Sequence, residues 1–394
     1  MANPYTYKQA AQDGYNNLVI QYKKSDIFAG NIWFGGNTLH TCLDFLIWSG
    51  QEDIPQNGKT FLESALDVFN DLKDPTDWWR DDYGWWGIAF MLALNARLKL
   101  GYDDSLVAKV QTALQSVCWT RFNANWRDTT YNHSVPIPGA TSDNAVAAAP
   151  NILGGVFNDA PDSTNPPMSG RNAVTNELFW KLAQRMAGYF PTDPNYKVRV
   201  ANATKWFQQW LSLPLGKGIL NSQNLVLERP TGNKKAHDAG YDWYWSGDQG
   251  LMIEALPTND PNRNNIVQSV IKNMVANGIL HENVAGLLPG QVLHGFLADY
   301  ATGKGIFMRN LVRFIAGNKP PQLVTFIKTN ASAIWGNRNQ STNQFTFNWD
   351  RAAGYEPDPL RVNGKSDALC DLIMQASGQD ALNAAMWIAP NDPI

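Results

Sequence analysis

The sequence predicts an all-α protein folded as an α/α barrel. Inner and outer helices alternate, and long loops at one end form a cleft. Three observations lead there. Apolar residues recur at helical spacing in roughly twelve to fourteen segments. Strand-like alternation is scarce, confined to short candidates at 218–226 and 344–347. Short and long connections alternate, and polar-aromatic clusters recur where the long ones meet a helix. No fixed period is present, which argues against a helical solenoid. No low-complexity linker or composition shift divides the 394 residues, so 1–394 reads as one domain.

The elements follow in order. Ala10, Ala11, Tyr15, Leu18, Val19 and Tyr22 mark a helix over 6–23. Trp33-Phe34-Gly35-Gly36 opens a second, through Leu39, Leu43, Phe45, Leu46 and Trp48. Phe61, Leu62, Ala65, Val68, Phe69 and Leu72 give a third. A fourth is expected from about Gly84 through Ile88, Phe90, Met91, Leu94 and Leu98, and a fifth from Leu106 to Val117. A long loop rich in Asn, Pro, Gly and Ser then runs from about Arg121 to Gly170, a length that is usually functional. Helices follow from Asn172 to Met186 and from Tyr196 to Trp210. A loop with His237, Asp238, Tyr241, Asp242, Trp243 and Tyr244 leads into a helix from Trp245 to Ala255. Ile266–Val275, Gly303–Ile315, Leu323–Ile334, Asp367–Gln375 and Ala381–Trp387 complete the series.

Composition narrows the function. The net charge is −3 and the pI near 6.0, which gives no reason to expect nucleic acid or an anionic membrane as partner. Charged residues are only 17%, while there are 16 Trp, 13 Tyr and 17 Phe, a balance that suits an uncharged ligand such as carbohydrate or simply a large aromatic core. Cys42, Cys118 and Cys370 have no metal spacing and read as buried free thiols. No stretch is long and apolar enough to span a membrane. The first residues do not form a signal peptide, so an extracellular or periplasmic protein whose signal is absent stands beside a cytoplasmic one. No cofactor and no metal are expected, and the chain reads as a monomer.

The chemistry concentrates in Asp77-Trp78-Trp79-Arg80-Asp81-Asp82-Tyr83-Gly84-Trp85-Trp86-Gly87, with the acidic pair expected in a loop at the mouth of the fourth helix. Two adjacent carboxylates repel, so one pKa rises while the other stays low. That separates an acid from a nucleophile, as in retaining glycosidases with carboxyls about 5 Å apart. Indoles on both sides suit the apolar faces of sugar rings. The same Asp-Asp also suits a plain helix N-terminal cap, with the tryptophans as core.

Four segments carry a resemblance to glycoside hydrolase family 76, the endo-α-1,6-mannanases. Asp81-Asp82-Tyr83-Gly84-Trp85-Trp86 is similar to its Asp-Asp-x-x-Trp-Trp signature. Gly154-Gly155-Val156-Phe157 lies where the family has a Gly-Gly-Ile-Trp-Trp-like run. Arg171–Phe179 resembles its Lys-Asn-Ala-x-x-Asn-x-Leu segment, and Gly303–Arg309 its Phe-Lys-Gly-Ile-Phe-x-Arg segment. The resemblance implies an (α/α)6 barrel and double displacement on an α-linked glycan, α-1,6-mannan first. It makes Asp81 the nucleophile and Asp82 the general acid/base, with Asp82 protonated and Asp81 ionised. Two departures alter the binding side. Val156-Phe157-Asn158 replaces the Trp-Trp, and Gly247-Asp248-Gln249-Gly250 replaces Tyr-Asn-Gln-Gly.

The substrate contacts expected on this reading are Trp33, Tyr83, Trp85, Trp86, Phe157, Asn172, Asn176, Trp245, Asp248 and Gln249. Asn172 also suits an N-cap, and Asp248 a helix cap. Lys304 and Arg309 are expected to pair with carboxylates. His40, His133, His237, His281 and His294 form no zinc pattern, and no nucleophile elbow, phosphate loop or dinucleotide fingerprint is present. Alternatives to mannan hydrolysis are transglycosylation, hydrolysis of another α-1,6-linked glycan such as a glucan, and glycan binding without catalysis.

Overall fold

The computed structural model describes residues 5–22, 32–50, 54–72, 78–128, 152–158, 171–228, 244–282, 297–351 and 367–394. Asp77, the polar-aromatic run at 237–243, His133, His294 and most of the long expected loop lie outside them.

Among the described residues, twelve helical units alternate between two rings. The outer ones are α1 (Tyr7–Tyr22), α3 (Ile54–Leu72), α5 (Asp104–Thr112), α8 (Pro194–Leu211), α10 (Pro261–Asn273) and α12 (Pro321–Asn337). α5 runs on through a π-helical stretch, Ala113–Trp119, into the short α6 (Thr120–Asn123). The inner ones are α2 (Trp33–Trp48), α4 (Arg80–Asn95), α7 (Ala173–Tyr189), α9 (Ser246–Ala255), α11 (Leu297–Phe314) and α13 (Asp367–Ile388). Neighbouring inner helices pack in sequence, and α13 closes the ring against α2. The expected (α/α)6 barrel is therefore the fold. Each inner helix follows an outer one, so all six run in the same direction and their N-termini share one end.

Composition separates the rings. In α4 and α9 nearly every residue is buried, as befits helices covered on all sides. α8 and α10 bury one stripe only. Inner helices also approach closely. A Cβ on Gly250 of α9 would meet Phe307 Cα of α11 at 2.7 Å, and one on Gly305 would meet Ser377 Cα of α13 at 2.7 Å. Backbone cannot step aside as a side chain can, so Gly250→Ala is expected to destabilise by about 1–3 kcal/mol. A lower urea midpoint with an unchanged slope is the expected reading; an unchanged midpoint would mean that these helices can part.

Several boundaries differ from expectation. α4 starts at Arg80, four residues before Gly84. Gly84 is a packing glycine inside the first turns, where a Cβ would lie 2.7 Å from Phe122. The two segments expected at 367–375 and 381–387 are one helix, because Gly378 stays helical and makes room for the Phe345 ring. α10 ends at Asn273, and a hairpin follows, with Val275–Ala276 paired to Ile279–Leu280. Asn277 and Gly278, both at positive φ, are its turn, and that dipeptide is the sequence signal for it. The expected strands at 218–226 and 344–347 are reduced to single bridges, Leu220 with Val226 and Asn339 with Gln344. Cys42, Cys118 and Cys370 are buried and unpaired with one another.

The interior of the ring is ionic. Arg309 lies 3.3 Å from Asp380 and donates to Asn37 Oδ1 at 2.6 Å. Arg313 pairs with Asp44 and meets His40 at 3.1 Å. Lys181 pairs with Glu254 and donates to Asn310 at 3.1 Å, while Arg185 holds the other Glu254 oxygen at 2.8 Å. Four inner helices other than α4 and α9 thus contribute to it, with Glu254 added from α9. Burial pulls Lys181 down to about 7 and pushes Asp380 up to about 7.

Candidate active site

Three outer helices begin differently from four inner ones. Asp103, Asp193 and Asp260 cap α5, α8 and α10 with their own carboxylates, accepting from Leu106, Asn195 and Asn262 backbone N–H at 2.9 Å each. The residues preceding α2, α4, α7 and α9 provide no such side-chain bond. At three of these starts a backbone N–H takes a partner distant in sequence, Asn158 at α4, Glu228 at α7 and Glu282 at α9. Glu228 accepts the Ala173 N–H on its carbonyl at 2.7 Å. Glu282 accepts the Ser246 N–H on its carboxylate at 3.0 Å and the Ser246 hydroxyl as well. At α9 the positive helix end thus holds a buried carboxylate, that of Glu282.

Asp81 and Asp82 lie in the first turn of α4, not in an extended loop. Adjacent helical positions point about 100° apart, so the two side chains diverge. Asp82 turns back and accepts the Trp79 backbone N–H at 2.9 Å, while its own N–H reaches the Trp79 carbonyl at 3.2 Å. Asp82 is buried and does serve as a cap. Asp81 is part-exposed. Its carboxylate accepts the Asn158 side-chain amide at 3.0 Å. Asn158 also accepts from the Arg80 and Asp81 backbone N–H groups at 3.1 and 3.2 Å. One asparagine thus closes the open end of α4 and orients Asp81.

The electrostatics reverse one expectation. Asp81 is the carboxyl pushed up, to about 7, first by burial and then by the charge of Glu228. Asp81, expected to be ionised, thus titrates close to neutrality. Glu177 and Asp248 are pushed well above the carboxylate range by burial and by Glu228. Glu282 rises to about 7 by burial, against its bonds to Ser246.

The expected contact residues divide into two groups. Trp33, Phe157 and Asn172 lie at the end of the ring that carries Asp81, with Trp33 and Phe157 part-exposed. The Trp33 ring lies 5.1 Å from Trp85, and the Arg171 guanidinium covers Phe157 at 4.5 Å. Trp85, Trp245 and Asp248 are buried beneath that rim. Asn172 sits at the N-cap position of α7, without capping it, and donates to Glu228 Oε1 at 2.6 Å. The other expected contacts are corrected to scaffold. Tyr83 and Trp86 are fully buried, and their polar atoms are taken by Arg121 and by the Ile32 carbonyl. Asn176 spends both amide hydrogens on the Val156 and Asn172 carbonyls and accepts the Val156 N–H at 2.8 Å. Gln249 spends both on the Val226 and Trp245 carbonyls and accepts the Val226 N–H at 2.7 Å. These two amides hold the 152–158 and 226–228 segments against the ring. Lys304 donates to the Phe347 carbonyl and lies 4.6 Å over Trp349, while Arg309 pairs with Asp380 as expected.

Sequence reasoning missed Asn158, Glu177, Glu228 and Glu282. Asn158 and Glu177 stood inside segments already singled out; Glu228 and Glu282 stand in no recognisable pattern. Trp79 was expected only as part of a flanking pair. It is 53% exposed, directly before the acidic pair, whereas Trp78 is buried.

No protein-family model and no curated protein matches this chain. Solved structures do. An inactive variant of the α-1,6-mannanase GH76A of Salegentibacter sp. HEL1_6, with two consecutive aspartates replaced and α-1,6-mannotetrose bound, is similar over 97% of this chain and 99% of that one, at 16% identity and a TM-score of 0.65. Dfg5 from Chaetomium thermophilum, in complex with glucosamine, covers 89% and 80% at 16% identity and a TM-score of 0.56. The GH76 α-mannanase BT2949 of Bacteroides thetaiotaomicron covers 89% and 86% at 12% identity and a TM-score of 0.55. The chain thus has the fold of family 76 glycoside hydrolases, as the sequence resemblance implies.

Proposed function

We propose that the protein is a retaining glycoside hydrolase of α-linked glycans, with α-1,6-mannan as the first substrate to test. The observation that carries this reading is the consecutive pair Asp81-Asp82 at the N-terminal end of the inner ring, in a fold shared with α-1,6-mannanases. The inactive state of the Salegentibacter enzyme with two consecutive aspartates replaced supports it. Asp81 attacks the anomeric carbon, and the leaving oxygen takes its proton from Asp82. Water then hydrolyses the glycosyl-Asp81 ester with Asp82 as base. A polymeric substrate goes with an extracellular or periplasmic location, and the enzyme is taken to act as a monomer.

The direct test is product release from α-1,6-mannan and α-1,6-glucan, with Asp81→Asn as control. Mannan products lost in the variant support the reading down to the sugar. Glucan products alone would move the specificity. Release from neither substrate sinks it.

The pH profile tests the roles. A nucleophile must be ionised, and in the free enzyme Asp81 titrates at about 7. Hydrolysis measured as kcat/KM is therefore expected to rise with pH through about 7. The negative charge of Glu228 raises the Asp81 pKa, so Glu228→Gln lowers it and moves that limb to lower pH. A limb near 7 on which activity falls with pH would exchange the roles of Asp81 and Asp82.

Trp79 offers the exposed indole of the cleft mouth. Trp79→Ala is expected to raise KM for mannan about tenfold with kcat nearly unchanged, corresponding to a stacking loss of about 1.4 kcal/mol. Equal KM values would return Trp79 to the class of isolated surface aromatics.

A further inference from the structure

One concavity has no part in the chemistry proposed above. It is a groove of about 530 Å³ on the outer face of the barrel, between α10 and α12. That volume falls in the usual range of ligand sites, about 300–1,000 Å³. Its floor is apolar and includes Phe314, Leu323 and Phe326. Phe314 is the last residue of α11, an inner helix of 18 residues. At 1.5 Å per residue that helix is about 27 Å long. The start of α11 shares the barrel end that carries Asp81, so the Phe314 end of the groove lies far from the acidic pair.

The walls are held in place by the fold. Asn330 of α12 donates to the Gly278 carbonyl at 3.0 Å and accepts the Leu280 N–H at 2.8 Å. It thereby fastens the hairpin after α10, whose Val275 and Gly278 close one side of the groove. Arg263 of α10 lies 4.9 Å from the centre of the Phe314 ring and donates to the Ile253 carbonyl at 2.6 Å.

The polar lining has one chemical character. Asn264 and Gln268 come from α10, Gln322, Thr325 and Thr329 from α12, and Asn318 from the turn before α12. All four carboxamides are exposed, and none is held by another described residue. Asn176, Gln249 and Asn330, in contrast, spend theirs on backbone. Among the described residues, no charged side chain lines the groove. The cations close by in sequence are directed elsewhere, Lys319 over Trp387 at 5.9 Å and Lys328 to Asp392 at 2.7 Å. A charged ligand would lose hydration here and gain no counter-charge. A carboxamide both donates and accepts, and so does a sugar hydroxyl. The apolar floor suits the apolar face of a sugar ring.

We propose that this groove is a second glycan site, which holds a neutral polysaccharide chain away from the bond being cut. The choice of an α-1,6-linked polymer as its ligand rests on the hydrolase reading given above. A chain held at the groove raises the local concentration of cleavable links at the active end, so the groove acts on polymers and not on short oligosaccharides.

The experiment has two arms. The first is native-gel retardation of Asp81→Asn, which leaves the ligand intact, by α-1,6-mannan, by α-1,6-glucan and by the polyanion polygalacturonate. The second is hydrolysis of polymeric mannan and of α-1,6-mannotriose by protein that keeps Asp81. In each arm the parent is compared with Gln268→Ala/Gln322→Ala and with Thr325→Arg, which fills the groove. All three positions are exposed on helices, where alanine and arginine are good helix formers, and a melting curve checks the fold. If one variant melts early, the other decides. Loss of the two amides is expected to raise the apparent Kd for the neutral polymer at least about fivefold. KM for polymeric mannan rises by a similar factor, while kcat and the KM for mannotriose stay unchanged. Retardation that both variants leave unchanged, retardation by no neutral polymer, or a preference for the polyanion overturns the inference. So does a dimer in sedimentation that the substitutions dissociate, which would give the groove to a second copy of the chain. Mannan cleavage without groove-dependent retardation removes only the second site. Groove-dependent retardation without cleavage by the unsubstituted protein removes only the hydrolase reading.

Discussion

Asp81→Ala and Asp82→Ala are each expected to abolish glycan hydrolysis, with losses on the order of 10⁴ or more for the nucleophile and 10²–10⁴ for the acid/base. The two losses have different structural signatures. Asp82 also caps α4 through the Trp79 N–H, so its removal is expected to lower stability by about 0.5–2 kcal/mol. Asp82→Asn keeps an acceptor oxygen for that N–H and loses only the proton chemistry. Loss of activity in Asp82→Asn at an unchanged melting temperature therefore isolates the chemical role. A variant that melts lower but turns over normally would reduce Asp82 to a cap, the reading that its geometry alone supports. Asp81 has no capping bond to lose. The Asn158 side-chain amide, from a segment of the chain far away in sequence, holds its carboxylate. Asn158→Ala should then disturb Asp81 without touching its chemistry, by freeing its orientation and removing a bond that favours its ionised form.

Much of this was readable from the chain, and what was not has identifiable causes. Helices with a one-sided apolar stripe announced themselves, because period 3.6 is a local property. The inner helices were also found, four of them within a residue of their observed starts, while α4 and α11 were entered late, at Gly84 and Gly303 instead of Arg80 and Leu297. At α4 the slip had consequences. Gly84 read as an opening when it is a contact between α4 and the Phe122 and Leu178 side chains, and the acidic pair was put in a loop. The pair itself was legible because both acids are adjacent in sequence. Glu228 and Glu282 were not, because they meet the starts of helices that begin 55 and 36 positions before them in the chain, and single-residue long-range caps leave no spacing to read. Asn176 and Gln249 were legible as polar residues at the right places, but a sequence does not show whether an amide faces a ligand or a neighbouring backbone. Here both face backbone, and their role is to hold the segments that bring Asn158 and Glu228 to the site.

The same arrangement explains why the barrel interior below the site is charged and not apolar, and it yields the largest expected stability change. Arg309→Ala is expected to destabilise the protein by about 3–5 kcal/mol, since breaking a buried pair strands its partner. Arg309 is buried, holds Asp380 and the Asn37 side chain at once, and lies 5.8 Å from the centre of the Trp85 ring. Arg309→Lys keeps the charge but not the fork that serves two acceptors, so it should recover only part of the loss. The pH dependence has a definite sign. Asp380 already titrates at about 7 in the folded protein, far above its unfolded value, and Arg309 is the partner that holds it down. Without Arg309 the folded-state pKa rises further, while the unfolded value is unchanged. A raised folded pKa gives up stability as pH climbs toward and through that value. Below about pH 5 both proteins carry a protonated Asp380, and the difference between them is smallest; above 7 only the variant still has to hold the proton against solvent. Urea unfolding of the two proteins at pH 5 and pH 8 checks this. A penalty that is the same at both pH values would mean that Asp380 is not the stranded charge, and that Arg309 stabilises the ring through Asn37 and its packing on Trp85 alone.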